Sequence, residues 1–215
     1  MEHYKETSET WNKIASLYEE RFMDLDLYDK TYDHFCDLIE NKNADVLDIG
    51  CGPGNISRYV LSKRPGFHIN GIDIAPNMIE LARKNIPNAT FQILDSRNIK
   101  KLNKKYDGII CGFCLPYLSE PDGNKCIADC ADMLTDQGVF YLSFMEGEPE
   151  QSGFQTASNG ERVYFYYYRL DDITQRLKNH GFTDPEISRI DYTRANGVAE
   201  VHTVVVAKKD QRKRK

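Results

Sequence analysis

The spacing of apolar and polar positions divides the chain into short strand-like runs separated by helical stretches. Val46, Leu47 and Ile49 form a compact apolar run of the kind found in parallel strands covered on both faces. The NISRYVLSK that follows places Ile56, Tyr59, Val60 and Lys63 at helical spacing. HINGID reads as a second strand ending at Asp73, and residues 75–85 as a helix starting at Pro76. Ala75, Met78, Ile79 and Ala82 form the face of that helix expected to lie on the sheet, and Pro87 stops it. Residues 90–94 and 106–113 are the third and fourth strands. Residues 127–134 belong to a helix whose end precedes Gly138, and VFYLSF is the fifth strand. Asp171 and Asp172 cap a helix running to His180, with Ile173 and Leu177 inward and Gly181 as terminator. ISRIDYT and VHTVVVAKK then read as an antiparallel hairpin. Strands alternating with helices predict an α/β fold with a mostly parallel, doubly wound sheet.

Two segments have no evident place in that sheet. Trp11, Ile14, Ala15, Tyr18 and Phe22 recur at helical spacing, an aromatic stripe that suits core packing and a lid equally. In the segment 145–170, an extended VYFYYY would put Tyr164, Tyr166 and Tyr168 on one face and Phe165 and Tyr167 on the other. Such a face suits a pocket wall, a β-hairpin arm or a dimer edge. Glu146 and Glu148 stand just past the fifth strand, as substrate-facing groups or as solvated loop acids.

The chemistry concentrates in VLDIGCGPGN, where Gly50, Gly52 and Gly54 make a GxGxG turn between a strand and a helix. Glycines there admit positive φ and leave no Cβ in the way of a ligand. Strand, glycine turn and helix make half a nucleotide site. Asp73, nineteen residues after Gly54, ends the second strand where a carboxylate can accept both hydroxyl hydrogens of an adenosine ribose. Asp95 and Ser96 end the third strand beside the expected adenine edge, opposite Ile74 and Phe113. Cys111, Gly112 and Phe113 end the fourth. A dehydrogenase fingerprint would read GxGxxG, whereas here Ile56 takes the third position and Asp48 precedes the turn. No GK[ST] follows, which excludes a P-loop.

The ordered set VLDIGCGPGN, GIDIAPNMIELAR, FQILDS and YDGIICGF resembles the class I S-adenosylmethionine (SAM) dependent methyltransferases over roughly residues 44–144. The resemblance implies a Rossmann-like seven-stranded sheet in the order 3-2-1-4-5-7-6, its seventh strand antiparallel and helices on both faces. It implies SAM as cofactor and S-adenosyl-L-homocysteine as product. The cofactor-binding set it implies is Tyr18, Asp48, Gly50, Cys51, Gly52, Asp73, Ile74, Met78, Asp95, Ser96, Cys111 and Phe113. In that pattern Asp48 braces the loop and the methionine end of SAM. W-x3-A-x2-Y before the first strand is common in small-molecule members, where the tyrosine, here Tyr18, approaches SAM. Many relatives carry a histidine after strand four; this chain has CLPYL, which leaves Tyr117 as the candidate for orienting an acceptor. His68, His180 and His202 fall in expected core elements and read as structural.

At 215 residues, 40% apolar and 28% charged, the chain fits one domain. Residues 1–207 are expected to form it, with lid helices over 1–35, a substrate-side insertion over 145–170 and a disordered basic tail over 208–215. The net charge is −5, and KKDQRKRK at the end leaves the rest of the chain at about −10. An acidic body argues against nucleic acid as partner and for a small-molecule methyl acceptor. MEHYKETSET has no signal-peptide character and no apolar run reaches membrane-spanning length, so the expectation is a cytoplasmic protein, monomeric or homodimeric. The six cysteines read as reduced thiols, although Cys111-x-x-Cys114 with Cys126-x3-Cys130 raises zinc. The enzyme classes left beside a small-molecule methyltransferase are RNA or protein methylation and aminopropyl transfer. The remaining alternative is a SAM-holding module inactive alone.

Overall fold

The computed structural model describes residues 2–156, 160–193, 197 and 199–210. Three helices, α1 (Glu2–Lys13), α2 (Ala15–Phe22) and α3 (Asp29–Leu38), precede the sheet. Then follow β1 (Asp45–Ile49), α4 (Asn55–Lys63), β2 (His68–Asp73), α5 (Pro76–Asn85), β3 (Thr90–Ile93) and β4 (Tyr106–Cys111). The second half runs α6 (Glu120–Met133), β5 (Leu134–Met145), β6 (Gly153–Thr156), β7 (Arg162–Phe165), α7 (Leu170–Asn179), β8 (Glu186–Thr193) and β9 (Ala199–Lys208). Seven strands form one sheet in the order β3-β2-β1-β4-β5-β9-β8. β3 to β5 are parallel, while β9 pairs antiparallel with both β5 and β8. With β6 and β7 set aside as a separate hairpin, this is the expected strand order.

Alternation along the strands feeds two cores. Leu47, Ile49, Ile109 and Phe140 point to the face covered by α6 and α7, where Ile127, Ile173 and Leu177 are buried. Val46, Ile110 and Tyr141 point to the opposite face, covered by Phe35 of α3 and Val60 of α4. Each such side chain contributes about 1.5–3 kcal/mol by leaving water, which fixes the strand ends above which a crevice opens.

Several boundaries differ from the sequence reading. The aromatic stripe is not one helix, because the chain breaks at Ile14 (φ −97°, ψ 15°) between α1 and α2. β5 starts at Leu134 and is interrupted where Tyr106 pairs with Leu134 but Gly108 with Val139, with Gln137 at φ 68°. Gly138 therefore lies inside the strand rather than opening it. β4 stops at Cys111, and Phe113 has left it with φ 53°. α7 is entered at Arg169 with no side-chain cap, so Asp171 and Asp172 sit in its first turn and act on the helix dipole instead. VYFYYY is extended only to Phe165; Tyr168 turns into the main core and its hydroxyl donates to the Leu118 carbonyl at 2.5 Å. Lys208 closes β9, and the N–H of Asp210 bonds the Gly181 carbonyl, so the basic end is anchored that far; residues 211–215 lie outside the described residues. His68 and His180 are exposed rather than in the core.

Candidate active site

The glycine turn hangs from the sheet by its backbone. The N–H groups of Gly50 and Cys51 both donate to the Ile72 carbonyl, at 2.8 and 2.9 Å, and the Gly52 N–H donates to Asp73 Oδ2 at 3.0 Å. Gly52 adopts φ 52°, where a side chain is strained, and a Cβ there would stand 3.6 Å from the Tyr18 ring. The turn then delivers the N-terminus of α4 through Gly54.

Two carboxylates flank the turn. Asp73 Oδ1 also accepts from the Ala75 N–H at 2.8 Å, so Asp73 joins the glycine turn to the start of α5. Burial pushes its carboxyl up, and the backbone N–H groups of Ala75, Gly52 and Ile74 only partly offset this. Asp48 is 1% exposed. Its Oδ2 accepts from Ser57 Oγ at 2.6 Å, while Oδ1 is buried without a hydrogen-bond partner. Burial, with the nearby Asp73 charge adding to it, raises the Asp48 carboxyl to about 6 against the pull of Ser57.

At the end of β3 the sequence reading missed a partner. Arg97 Nε donates to both oxygens of Asp95, at 2.9 and 3.0 Å, and the Arg97 N–H adds a third bond at 2.9 Å. Burial pushes the Asp95 carboxyl up, but the Arg97 fork outweighs it and holds the group below its usual range. The guanidinium lies 4.2 Å over the Tyr4 ring. The D-x-R spacing after the third strand was the available signal, and nothing local pointed to Tyr4, which is more than ninety positions away.

A roof closes the crevice. Tyr4, Thr7, Ser8 and Trp11 of α1 and Tyr18 of α2 line it. α1 is fastened to the hairpin: the Tyr164 N–H donates to Thr7 Oγ1 at 3.0 Å, Thr10 Oγ1 donates to the Arg162 carbonyl at 3.0 Å, and Arg162 pairs with Glu6. Tyr4 is anchored separately, its hydroxyl donating to Asp122 at 2.6 Å. Trp11 meets Tyr18 at 90° and Tyr117 at 76°, with centroids 5.5 and 5.6 Å apart. Its indole Nε1 is buried with no hydrogen-bond partner. The tyrosines of 145–170 do not reach the crevice: Tyr164 stacks on His3 and Tyr166 packs on Tyr164, so this segment braces α1. Glu146 and Glu148 are paired with Arg189 and Arg169. Met78 clusters with Ala15 and Ala75, and Trp11 and Tyr18 pack against that group, so Met78 faces the roof although it was assigned to the helix face on the sheet.

The resulting pocket has a volume of about 130 Å³ and is partly open to solvent. Of the sequence-derived residues, Tyr18, Gly50, Gly52, Asp73, Ile74, Met78, Asp95, Ser96, Phe113 and Tyr117 line it. Asp48, Cys51 and Cys111 lie behind the lining, Cys51 and Cys111 as buried free thiols, and Cys114 takes the place at the wall instead. Phe113, expected beside Ile74 on the side opposite Asp95 and Ser96, packs its ring on Tyr28 at 5.2 Å and on His202 at 4.8 Å. His202 is buried, with Nδ1 2.5 Å from the Tyr28 hydroxyl. Among the described residues no group of three or more His, Cys, Asp or Glu is placed to hold a metal ion, and no helix is long and apolar enough to cross a membrane.

The sheet order, the glycine turn under a crevice and the acid at the end of β2 define the class I SAM-dependent methyltransferase fold. Residues 46–138 match the family described as methyltransferase domain. The chain is 38% identical over 111 residues to malonyl-[acyl-carrier protein] O-methyltransferase of Acetivibrio thermocellus, covering 50% of this chain and 38% of that protein. It is 21% identical over 210 residues to the tRNA N(3)-methylcytidine methyltransferase trm141 of Schizosaccharomyces pombe, 88% of this chain and 85% of that one. Among solved structures, magnesium protoporphyrin IX methyltransferase from Synechocystis PCC 6803 with bound SAM superposes with a TM-score of 0.64 at 21% identity, over 86% of this chain and 80% of that chain. This chain spans 28 to 60% of the length of the first relatives it matches.

Proposed function

We propose that this chain is a cytoplasmic SAM-dependent methyltransferase acting on a small molecule, with residues 1–35 as its lid. The observation that carries the reading is the pocket itself, in which the Gly52 turn, the Asp73 carboxylate and the Ser96 end of β3 face one space under the aromatic roof.

The residues fit the cofactor. Asp73 accepts from the Gly52 and Ala75 N–H groups and is drawn on by that of Ile74, yet a carboxylate has about four lone-pair sites, which leaves it capacity for a ribose hydroxyl. The buried Asp48 Oδ1 without a partner suits the cofactor's ammonium. Ile74, Leu94 and Ser96 would hold adenine, with Asp95 kept in place by Arg97. Bound SAM supplies a methyl group already activated as a sulfonium.

The protein's own contribution is positioning: the glycine turn fixes one reactant against bare backbone, Tyr117 and Phe113 shape the approach of the other, and α1 excludes water. An acceptor that keeps a proton in its ground state would need that proton removed, and no residue of the lining is assigned that task. The acidic chain, net −5, weighs against a nucleic-acid acceptor. Titration calorimetry with SAM, followed by transfer of labelled methyl groups to a metabolite extract and to tRNA, tests the reading. Failure to bind SAM overturns it, and transfer to tRNA alone overturns the small-molecule part.

A further inference from the structure

The charge of the pocket selects among acceptors. Its charged lining is Asp73, Asp95 and Arg97, and Arg97 is consumed by its fork with Asp95 and its stacking on Tyr4. Asp48 adds a buried carboxylate beneath the turn. The cations around the roof and beyond β5 are also engaged: Lys13 with Glu161, Arg162 with Glu6, and Arg189 with Glu146. Among the residues that line the pocket Arg97 is the one cation, so an acceptor carboxylate or phosphate would meet no free positive group of the lining, and bringing one into a half-enclosed site without a partner is costly. SAM brings a single net positive charge against the carboxylates of Asp48 and Asp73, so the loaded site stays negative. The wall left for an acceptor is aromatic, Trp11 with Tyr117 at 76° to it, a surface that attracts cations through ring quadrupoles.

We propose that the methyl acceptor is an amine with an apolar body, bound as its ammonium ion against this wall; the inference rests on the methyltransferase reading above. The ammonium releases a proton to solvent, the free lone pair on nitrogen attacks the methyl carbon, the carbon–sulfur bond breaks, and its electron pair stays on sulfur. The products are the methylated ammonium ion and S-adenosyl-L-homocysteine.

Three probes with the same body separate the possibilities: phenethylamine, 2-phenylethanol and 3-phenylpropionate, each assayed with labelled SAM and the full chain. The expected result is transfer to phenethylamine at least tenfold faster than to either other probe, with a rate that climbs with pH as the amine deprotonates. Trp11→Leu should raise the KM for phenethylamine at least fivefold. Tyr117→Arg, which adds a cation to the wall, should cut amine transfer at least tenfold. Faster transfer to the carboxylate or the alcohol overturns the proposal, as does SAM binding with no transfer to the amine. Absence of SAM binding in the same samples removes the methyltransferase reading itself.

Discussion

Asp73 and Gly52 are tied by a hydrogen bond from the Gly52 N–H to Asp73 Oδ2 at 3.0 Å, so the acid ending β2 also sets the shape of the glycine turn ending β1. The residue read from sequence as a ribose ligand is thus a structural brace as well.

That double role predicts two losses in Asp73→Ala. SAM affinity should fall at least tenfold, about 1.5–3 kcal/mol for a charged partner of buried hydroxyls. Folding stability should fall too, because the Gly52 and Ala75 N–H groups lose their acceptor, at about 1–3 kcal/mol. Calorimetry and urea unfolding measure the two separately, and a variant with full SAM affinity defeats the ribose assignment.

Two glycines should fail in opposite ways. Gly52→Val, at φ 52° with Tyr18 3.6 Å from the new Cβ, is expected to fold but lose SAM. In Gly71→Ala the Cβ would come within 2.4 Å of the Phe91 ring and 3.1 Å of Cys51 Sγ, an overpacked core costing about 1–3 kcal/mol. Melting temperature and SAM binding of both variants check the contrast.

Asp48 predicts a pH dependence. Its carboxyl is raised to about 6 in the folded chain, so the native state holds that proton more tightly than the unfolded one. Its contribution to stability is fully present below the unfolded value near 3.9 and is lost as pH rises through about 6, a loss of about 3 kcal/mol at neutral pH. Asp48→Asn, which keeps an acceptor for Ser57, should therefore match the parent near pH 4 and exceed it in stability at pH 7.5, while binding SAM more weakly. A stability difference that does not vary between pH 4 and 7.5 in urea titrations contradicts this.

The roof predicts a further effect. Removing residues 2–13 takes away Tyr4, Thr7, Ser8 and Trp11 but leaves the sheet, so SAM should bind more weakly and methyl transfer drop further than binding. The hairpin loses the partners of Tyr164 and Arg162 and should lose amide protection with it. Hydrogen exchange that shows β7 as protected as before rules out the bracing role.

The strands themselves, the glycine turn and the acids of β1, β2 and the end of β3 were legible in the chain, because each depends on neighbours within a few residues: alternation buries one face, and only glycine takes the turn's φ cheaply; the strand order came from the resemblance to the class I methyltransferases, not from periodicity. Tertiary structure decided what faces what. Arg97 takes up Asp95, Tyr4 crosses from α1 to cover that pair, and the tyrosines of the hairpin stack on α1 rather than lining the pocket. His202, expected to be a plain core residue, stands behind Phe113 in contact with Tyr28, 174 positions away. These pairings join residues tens to hundreds of positions apart, and a hydrophobic period carries no record of its partner. The chain therefore determined which groups exist at the strand ends, and packing determined which of their charges and rings remain to meet a ligand.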